Sequence, residues 1–438
     1  LATTEDRTQS ASYFIGDGVK QLISPLPRLK YFEGMKMMND MMKMNGDLDD
    51  MGMKMSLNQM DMNVVMYPEI TGDATKKADH SKHEGMDMDN DANRYNANAL
   101  GDIKTLNYAM LQSPYNTSLP NDAPVKELKF TLTGNMNRYV WSMDNKILSE
   151  TDKIPVKKGE ILRITIYNNS MMRHPMHLHG FDFRVINGKG EKSPLKNVLD
   201  IMPMETDTIE FLANEEGDWF FHCHILYHMM AGMNRVFEVG DYNNPYLPDK
   251  AKAYKELQRE SNMPHFMAQN DFATNGNDGE AMLMNARYQL GTEWRLGYNS
   301  MHGYEVETHL GRYIGKMQWF MPFVGFDYRY RKMGEDEHEK NIFGQTNKKD
   351  TRRAFSLGFM YTLPMLVNFQ AEVYHDGIVR LQLMREDIPI SKRLRGGFMV
   401  NTDLEYMGEL RYIINKNIGI RTHYDSDMGF GVGLALTY

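Results

Sequence analysis

Period-two alternation of apolar and polar positions dominates the last third of the chain. Over residues 287–298, Tyr288, Leu290, Thr292, Trp294, Leu296 and Tyr298 fall on one side of such a register. Arg287, Gln289, Gly291, Glu293, Arg295 and Gly297 fall on the other. Successive side chains of a strand point to opposite faces, so this pattern predicts a two-faced β-strand. It recurs where Tyr304, Val306, Thr308 and Leu310 oppose Glu305, Glu307 and His309. Phe326, Tyr328 and Tyr330 likewise oppose Asp327, Arg329 and Arg331, and Phe430, Val432, Leu434, Leu436 and Tyr438 share a final face. About ten such strands fit into residues 281–438. An aromatic face backed by a charged face, on strands near ten residues, predicts an antiparallel barrel of outer-membrane type, because closure leaves no unpaired edge in lipid. A soluble antiparallel sandwich would carry the same alternation. Glu293, Glu305, Glu307 and His309 would face the lumen, either as a cation path or as a salt-bridged plug.

Ahead of this zone the periodicity is shorter. Leu128–Leu132, Ile161–Tyr167, Phe181–Ile186, Thr208–Phe211 and Trp219–His222 read as strands, which suits a small β-sandwich over 124–240. Residues 241–280 read as a linker with one short helix near Lys250–Gln258. Residues 35–123 are rich in Met, Asn, Asp, Lys and Gly, and predict little fixed structure. Residues 1–34 are short mixed segments around a Pro-bearing loop, and read as the tail of a preceding domain.

Composition narrows the function classes. The net charge of −8 and the lack of a basic block argue against nucleic-acid partners. A single cysteine, Cys223, excludes an internal disulfide. No signal peptide and no apolar run of membrane-helix length is visible. Methionine stands out at 39 residues. Met35, Met37, Met38, Met41, Met42, Met44, Met51, Met53 and Met55 recur as MxM and MMxM on a polar, Gly-bearing stretch, and His80 and His83 follow. Thioethers are soft ligands suited to Cu(I), so the tract is a candidate for Cu(I) capture. A Met-rich helix packed on a core is the plainer alternative.

Two segments concentrate the chemistry: His174-Pro175-Met176-His177-Leu178-His179 and His222-Cys223-His224, followed by His228 and Met233. Six of the 14 histidines lie here. On a strand, His222 and His224 point one way and Cys223 the other, while His177 and His179 share a face. Two metal centres can therefore sit on opposite sides of one strand. A thiolate, two imidazoles and a distant thioether make the trigonal blue-copper arrangement, with Cys223, His174, His228 and Met233 as ligands. A zinc site would also use Cys and His.

These motifs, with Leu132-Thr133-Gly134-Asn135-Met136, Arg138-Tyr139 and Trp141-Ser142, closely resemble the C-terminal cupredoxin domain of multicopper oxidases, especially the copper-resistance type often called CopA. The resemblance covers about residues 124–240. It implies a cupredoxin-like Greek-key sandwich, which with the antiparallel barrel read from the alternation makes the chain all-β. It implies type 1 copper at His174, Cys223, His228 and Met233, type 2 copper at His177, and type 3 copper at His179, His222 and His224. Cys223, His222 and His224 would carry electrons from Cu(I) or phenols toward O2. The resemblance places such a protein in the periplasm. The barrel zone resembles, more loosely, the CopB-type outer-membrane copper-resistance barrel. One departure matters: the family's trinuclear cluster needs four further histidines from HxHG and HxH motifs, and this sequence lacks both motifs. Either an N-terminal cupredoxin domain lies outside this chain, or the chain sequesters copper and transfers electrons without reducing O2 alone.

Overall fold

The sandwich strands follow from apolar positions that land on one inner face. In the computed structural model, residues 2–3, 9–19, 56–59, 106–134, 140–170, 172–242, 244–315, 318–332, 340–346 and 351–438 are described. The chain divides into two units, Leu1–Gln112 and Ser113–Tyr438. In the first, β1 (Ala2–Thr3) pairs antiparallel with β2 (Ser10–Ala11). The nine named Met-tract positions lie outside the described residues, as does most of the 1–34 stretch.

The second unit begins with a sandwich. Its strands are β3 (Val125–Gly134), β4 (Trp141–Met143), β5 (Ile154–Val156), β6 (Ile161–Asn168), β7 (His174–Leu178), β8 (Phe183–Val185), β9 (Leu195–Lys196), β10 (Val198–Ile201), β11 (Thr206–Leu212), β12 (Gly217–Cys223) and β13 (Asn234–Val239). One sheet has the order β4-β3-β6-β11-β8-β9 and the other β10-β7-β12-β13-β5. Leu132, Ile164, Ile166, Phe183, Phe211, Phe221 and Phe237 interleave between them, fully buried. Each such side chain contributes on the order of 1.5–3 kcal/mol. The sandwich starts earlier than the sequence suggested. Residues 113–123, assigned to the Met-rich stretch, run along it, with Ser113 donating to the Lys192 carbonyl at 2.8 Å and the Thr117 hydroxyl to Ser193 at 2.8 Å.

Helix α1 (Leu226–Met230) follows β12, and α2 (Lys250–Glu260) follows β13. Asp249 caps α2 by accepting from the Lys252 amide, where the sequence placed a short helix.

Twelve strands then close into a barrel: β14 (His265–Ala273), β15 (Gly276–Met284), β16 (Tyr288–Gly297), β17 (Tyr304–Arg312), β18 (Phe320–Tyr330), β19 (Thr351–Leu363), β20 (Val367–Tyr374), β21 (Val379–Pro389), β22 (Leu394–Asn401), β23 (Tyr406–Ile413), β24 (Ile418–Asp425) and β25 (Gly429–Thr437). Closure runs from Gln269↔Thr437 to Ala273↔Gly433. Sequence suggested about ten strands starting at residue 281. β14 and most of β15 instead occupy the expected linker. Their Asn, Asp, Gly and Met residues weaken the alternation, yet the ladder bonds are made by backbone and need no apolar side chains.

The two faces of the barrel part as the alternation predicts. Leu290, Leu310, Phe326, Phe355, Leu357, Phe430 and Leu434 are exposed on the outside. Asp327, Arg329, Arg352, Glu372, Arg380 and Arg421 are buried inside. Ion pairs cross the lumen: Arg329 on β18 reaches Glu405, beside β23, at 3.0 Å, and Arg380 on β21 reaches Glu307 on β17 at 2.5 Å. Of the two sequence alternatives for Glu305, Glu307 and His309, this geometry is the salt-bridged one. The Glu307–His309–Glu372 and Glu305–Glu307–Asp327 groups have converging ligand atoms, but Arg380 and Arg329 already pair with them.

Candidate metal centre

Two neighbouring strands and one helical turn build the site. β12 pairs with β7 so that His222 lies opposite His177 and Cys223 opposite Met176. Alternation then turns Cys223 into the sandwich and His222 to the opposite side. His174, three residues before His177, enters the inner face with Met176. The turn α1 brings back His228.

Three ligand atoms converge in the interior. Cys223 Sγ lies 3.6 Å from His174 Nδ1 and 3.5 Å from His228 Nδ1, and the two Nδ1 atoms are 3.0 Å apart. All three residues are buried. Met233 is also buried, and its backbone ties the loop shut. The Cys223 amide donates to the Met233 carbonyl at 3.1 Å, and the Met233 amide donates to the His228 carbonyl at 3.0 Å. Gly232 makes this turn at φ +109°, and a Cβ there would fall 2.4 Å from Ile147 Cβ. Only glycine fits that conformation and that space.

The ring orientations are fixed from outside the ligand set. Ser170 Oγ sits 2.6 Å from His174 Nε2, leaving Nδ1 for the centre. Asn168 holds Ser170 in turn at 2.8 Å. Trp141 packs on both imidazoles, with centroid distances of 4.1 Å to His228 and 5.2 Å to His174. Ser170 and Asn168 carry no sequence signal that marks them; they read as an ordinary polar strand end. Outer partners of this kind tune affinity by about 10–100-fold. Ser170→Ala is therefore expected to weaken copper binding by about that factor in a chelator competition titration, while the fold persists.

Across the strand, a second histidine group faces outward. His179 Nε2 and His222 Nε2 are 3.0 Å apart, and His177, His179 and His222 offer converging nitrogens. His177 and His224 ring centroids are 5.4 Å apart, so His224 joins the same face. His222 Nδ1 bonds the Cys223 carbonyl at 2.9 Å and His177 Nδ1 bonds the Asn197 carbonyl at 2.7 Å. In both rings this leaves Nε2 as the free donor atom. His179 and His224 are exposed.

Burial favours the neutral form of His174, His222 and His228. Burial, reinforced by His228, holds His174 well below the usual histidine range. Burial takes His228 down to about 4. His222 also falls to about 4, through burial first, with the Cys223 carbonyl opposing and the neighbouring histidines assisting. Neutral rings present lone pairs, which metal binding requires. The same shifts link folding to pH. Below 6.5 the unfolded chain takes up protons that the folded His222 and His228 refuse until about 4. The metal-free protein is therefore expected to hold its stability above pH 6.5 and lose it progressively toward pH 4. Denaturant midpoints across that range check this, and a flat profile would contradict it.

The donor set favours copper over a closed structural zinc site. Structural zinc takes four N/S ligands in a closed tetrahedron. A buried thiolate with two imidazoles and a thioether residue next in the loop suits copper.

Residues 122–243 match the multicopper oxidase family. Copper resistance protein A homolog of Pseudomonas syringae pv. tomato is 35% identical over 136 residues, 31% of this chain and 23% of that protein. Copper resistance protein A of Escherichia coli is also 35% identical over 136 residues, 31% of this chain and 22% of that protein. Among solved structures, a multicopper oxidase from Campylobacter jejuni, described as a metallo-oxidase, has a TM-score of 0.25 at 25% identity, over 28% of this chain and 31% of that one. By the family match and the two curated relatives, the stretch around the site is similar to a multicopper-oxidase domain, and copper is the cofactor that similarity implies. The chain spans less than a quarter of the length of those two curated relatives. The family match ends before β14 begins at His265.

Proposed function

We propose that this chain is a copper-resistance oxidoreductase in which a multicopper-oxidase domain is held at the outer membrane by its own barrel. The observation that carries the reading is the back-to-back placement across β12 of the buried Cys223–His174–His228 triangle and the outward His177–His179–His222 face. His174, Cys223, His228 and Met233 would hold type 1 copper, His177 type 2 copper, and His179, His222 and His224 the type 3 pair. Copper so held would accept single electrons from Cu(I) or a phenol and relay them to O2. Cys223 and His222 are adjacent in sequence, and the His222 Nδ1–Cys223 carbonyl bond at 2.9 Å shortens the path between the two faces. The chain supplies half of the trinuclear ligand set, so the other four histidines come from a further cupredoxin domain.

Barrel topology supports the location. The exposed aromatic and aliphatic band suits lipid, and the charged side chains are turned to the interior. Both barrel termini lie at the end that carries the connections after β15, β17, β19, β21 and β23, and the longest connection, from Tyr330 to Thr351, joins strands at the opposite end. Short turns face the periplasm in outer-membrane barrels, and longer loops face outward. The sandwich contacts the short-turn end, through Arg287 and Glu150 at 2.6 Å, which fits a periplasmic oxidase domain. The Met-rich stretch would gather Cu(I) for this domain.

The exposed histidine face favours one alternative, a sequestering electron-transfer protein that does not turn over O2. Oxygen uptake separates the two. The copper-loaded chain is given Cu(I), alone and with a purified cupredoxin domain that carries HxHG and HxH motifs. Stoichiometric uptake on addition of that domain supports the oxidase. A blue site that reduces and reoxidises with no uptake in either case supports the sequestering protein.

A further inference from the structure

We infer that the barrel turn Asn285–Arg287 positions the copper ligand loop, so that seating the sandwich on the barrel tunes the metal centre; this rests on the type 1 assignment above. The contact chain is short and continuous. Arg287 clamps Glu150 through Nε at 2.8 Å and Nη2 at 2.6 Å. It also donates to the Asn145 backbone carbonyl. Glu150 passes the constraint on, because its carboxylate accepts from the Ile147 amide at 3.0 Å. Ile147 is fully buried beside Ala286 of the barrel turn and Val140. Its side chain fills the space that Gly232 leaves open, one residue before Met233.

The segment between these contacts is one whose position depends on its anchors. It is a three-residue strand, β4, then Asp144 and Asn145 at positive φ, then a single 3-10 turn at Leu148–Glu150. Its other end is Trp141, whose ring lies on His228 and His174. From the sandwich side, Arg235 donates to the Lys146 carbonyl at 3.1 Å. The segment is thus held between the barrel turn and the copper loop, and touches the loop at both Gly232 and His228. Removing the barrel-side clamp frees one of its supports and leaves the β3 pairing and Arg235 in place. A bidentate arginine–carboxylate pair also fixes orientation, which a point charge does not.

Arg287 and Glu150 are positioning residues, and the test reads the copper rather than turnover. The full chain is folded in detergent, loaded with Cu(II), and compared with Arg287→Ala, Glu150→Ala, the double variant and Arg287→Lys. Each single alanine variant is expected to shift the visible thiolate band and the EPR signal. Each is also expected to change the oxidised-to-reduced copper ratio at fixed solution potential by about three- to tenfold, the scale of one ordinary net hydrogen bond. The double variant should add nothing beyond either single, because the two residues form one link. Arg287→Lys should restore part of the signal. In the metal-free protein, amide exchange at residues 140–150 and 228–233 should quicken in the same variants. Unchanged spectra and exchange in folded variants would overturn the inference, as would additive shifts. A colourless wild type would instead overturn the type 1 assignment, and this inference with it. Should Arg287→Ala fail to fold, Arg287→Gln and Glu150→Gln are read by the same criteria.

Discussion

Copper-loaded protein with Cys223→Ala is expected to lose its intense visible band and its narrow-hyperfine Cu(II) EPR signal. That band is a charge transfer from thiolate to copper, and Cys223 is the one thiol in the chain. His174 and His228 remain and can still hold Cu(II), so copper content falls less than colour. The fold should survive, since Cys→Ala at a fully buried position removes little more than a sulfur atom. The control lies on the other face of the strand. His222→Ala and His224→Ala should leave the band in place, because alternation puts those rings away from the triangle. They should instead abolish any metal bound on the outward face. Paired absorption and EPR spectra on the full chain decide the matter. A band that outlives Cys223→Ala, or one that vanishes with His224→Ala alone, would refute the division into two faces.

How much of this was readable from sequence varies by element, for physical reasons. The ligand positions were legible because strand periodicity converts spacing into direction. His222, Cys223 and His224 cannot share a face on any strand. The loop from Cys223 to Met233 has to fold back because Gly232 permits the turn, and the backbone bonds at 3.1 Å and 3.0 Å show that return. Ser170, Trp141 and Ile147 were not legible as parts of the site. Trp141 and Ile147 act through contacts far along the chain, with His228 and Gly232, and Ser170, though close to His174 in sequence, carries nothing that marks it. The barrel shows the same contrast. β16 to β18 carry clear aromatic alternation and were readable, whereas β14 and β15 rely on backbone ladders on both sides. The lumen charges were visible as a polar face. Which arginine meets which carboxylate was not, because Arg380 and Glu307 lie 73 residues apart and meet only once the barrel closes.

Those cross-lumen pairs carry the other large effect. Arg380→Ala is expected to destabilise the folded barrel by about 3–5 kcal/mol, the usual cost of stripping one partner from a buried ion pair. Arg380 is 2% exposed and reaches Glu307 at 2.5 Å and Glu372 at 3.2 Å. Its loss leaves Glu372 without a guanidinium partner, held by His309 at 3.5 Å and the Gln370 amide, while Glu307 keeps Arg329 at 2.5 Å. The cost should thus fall mainly on Glu372. Arg380→Gln combined with Glu307→Gln and Glu372→Gln removes the charges together, and should cost much less than the three singles summed. Equilibrium urea unfolding in detergent or lipid vesicles measures all of these. The magnitude also reports what the lumen is. In an open aqueous pore, water would solvate the orphaned carboxylates, and Arg380→Ala would cost no more than the 1 kcal/mol or so of an exposed pair. A loss of several kcal/mol in a wild type that conducts no ions across a planar bilayer identifies the barrel as a sealed anchor for the copper domain. A loss near zero, together with steady single-channel currents, identifies a path for cations past Glu293 and Glu305.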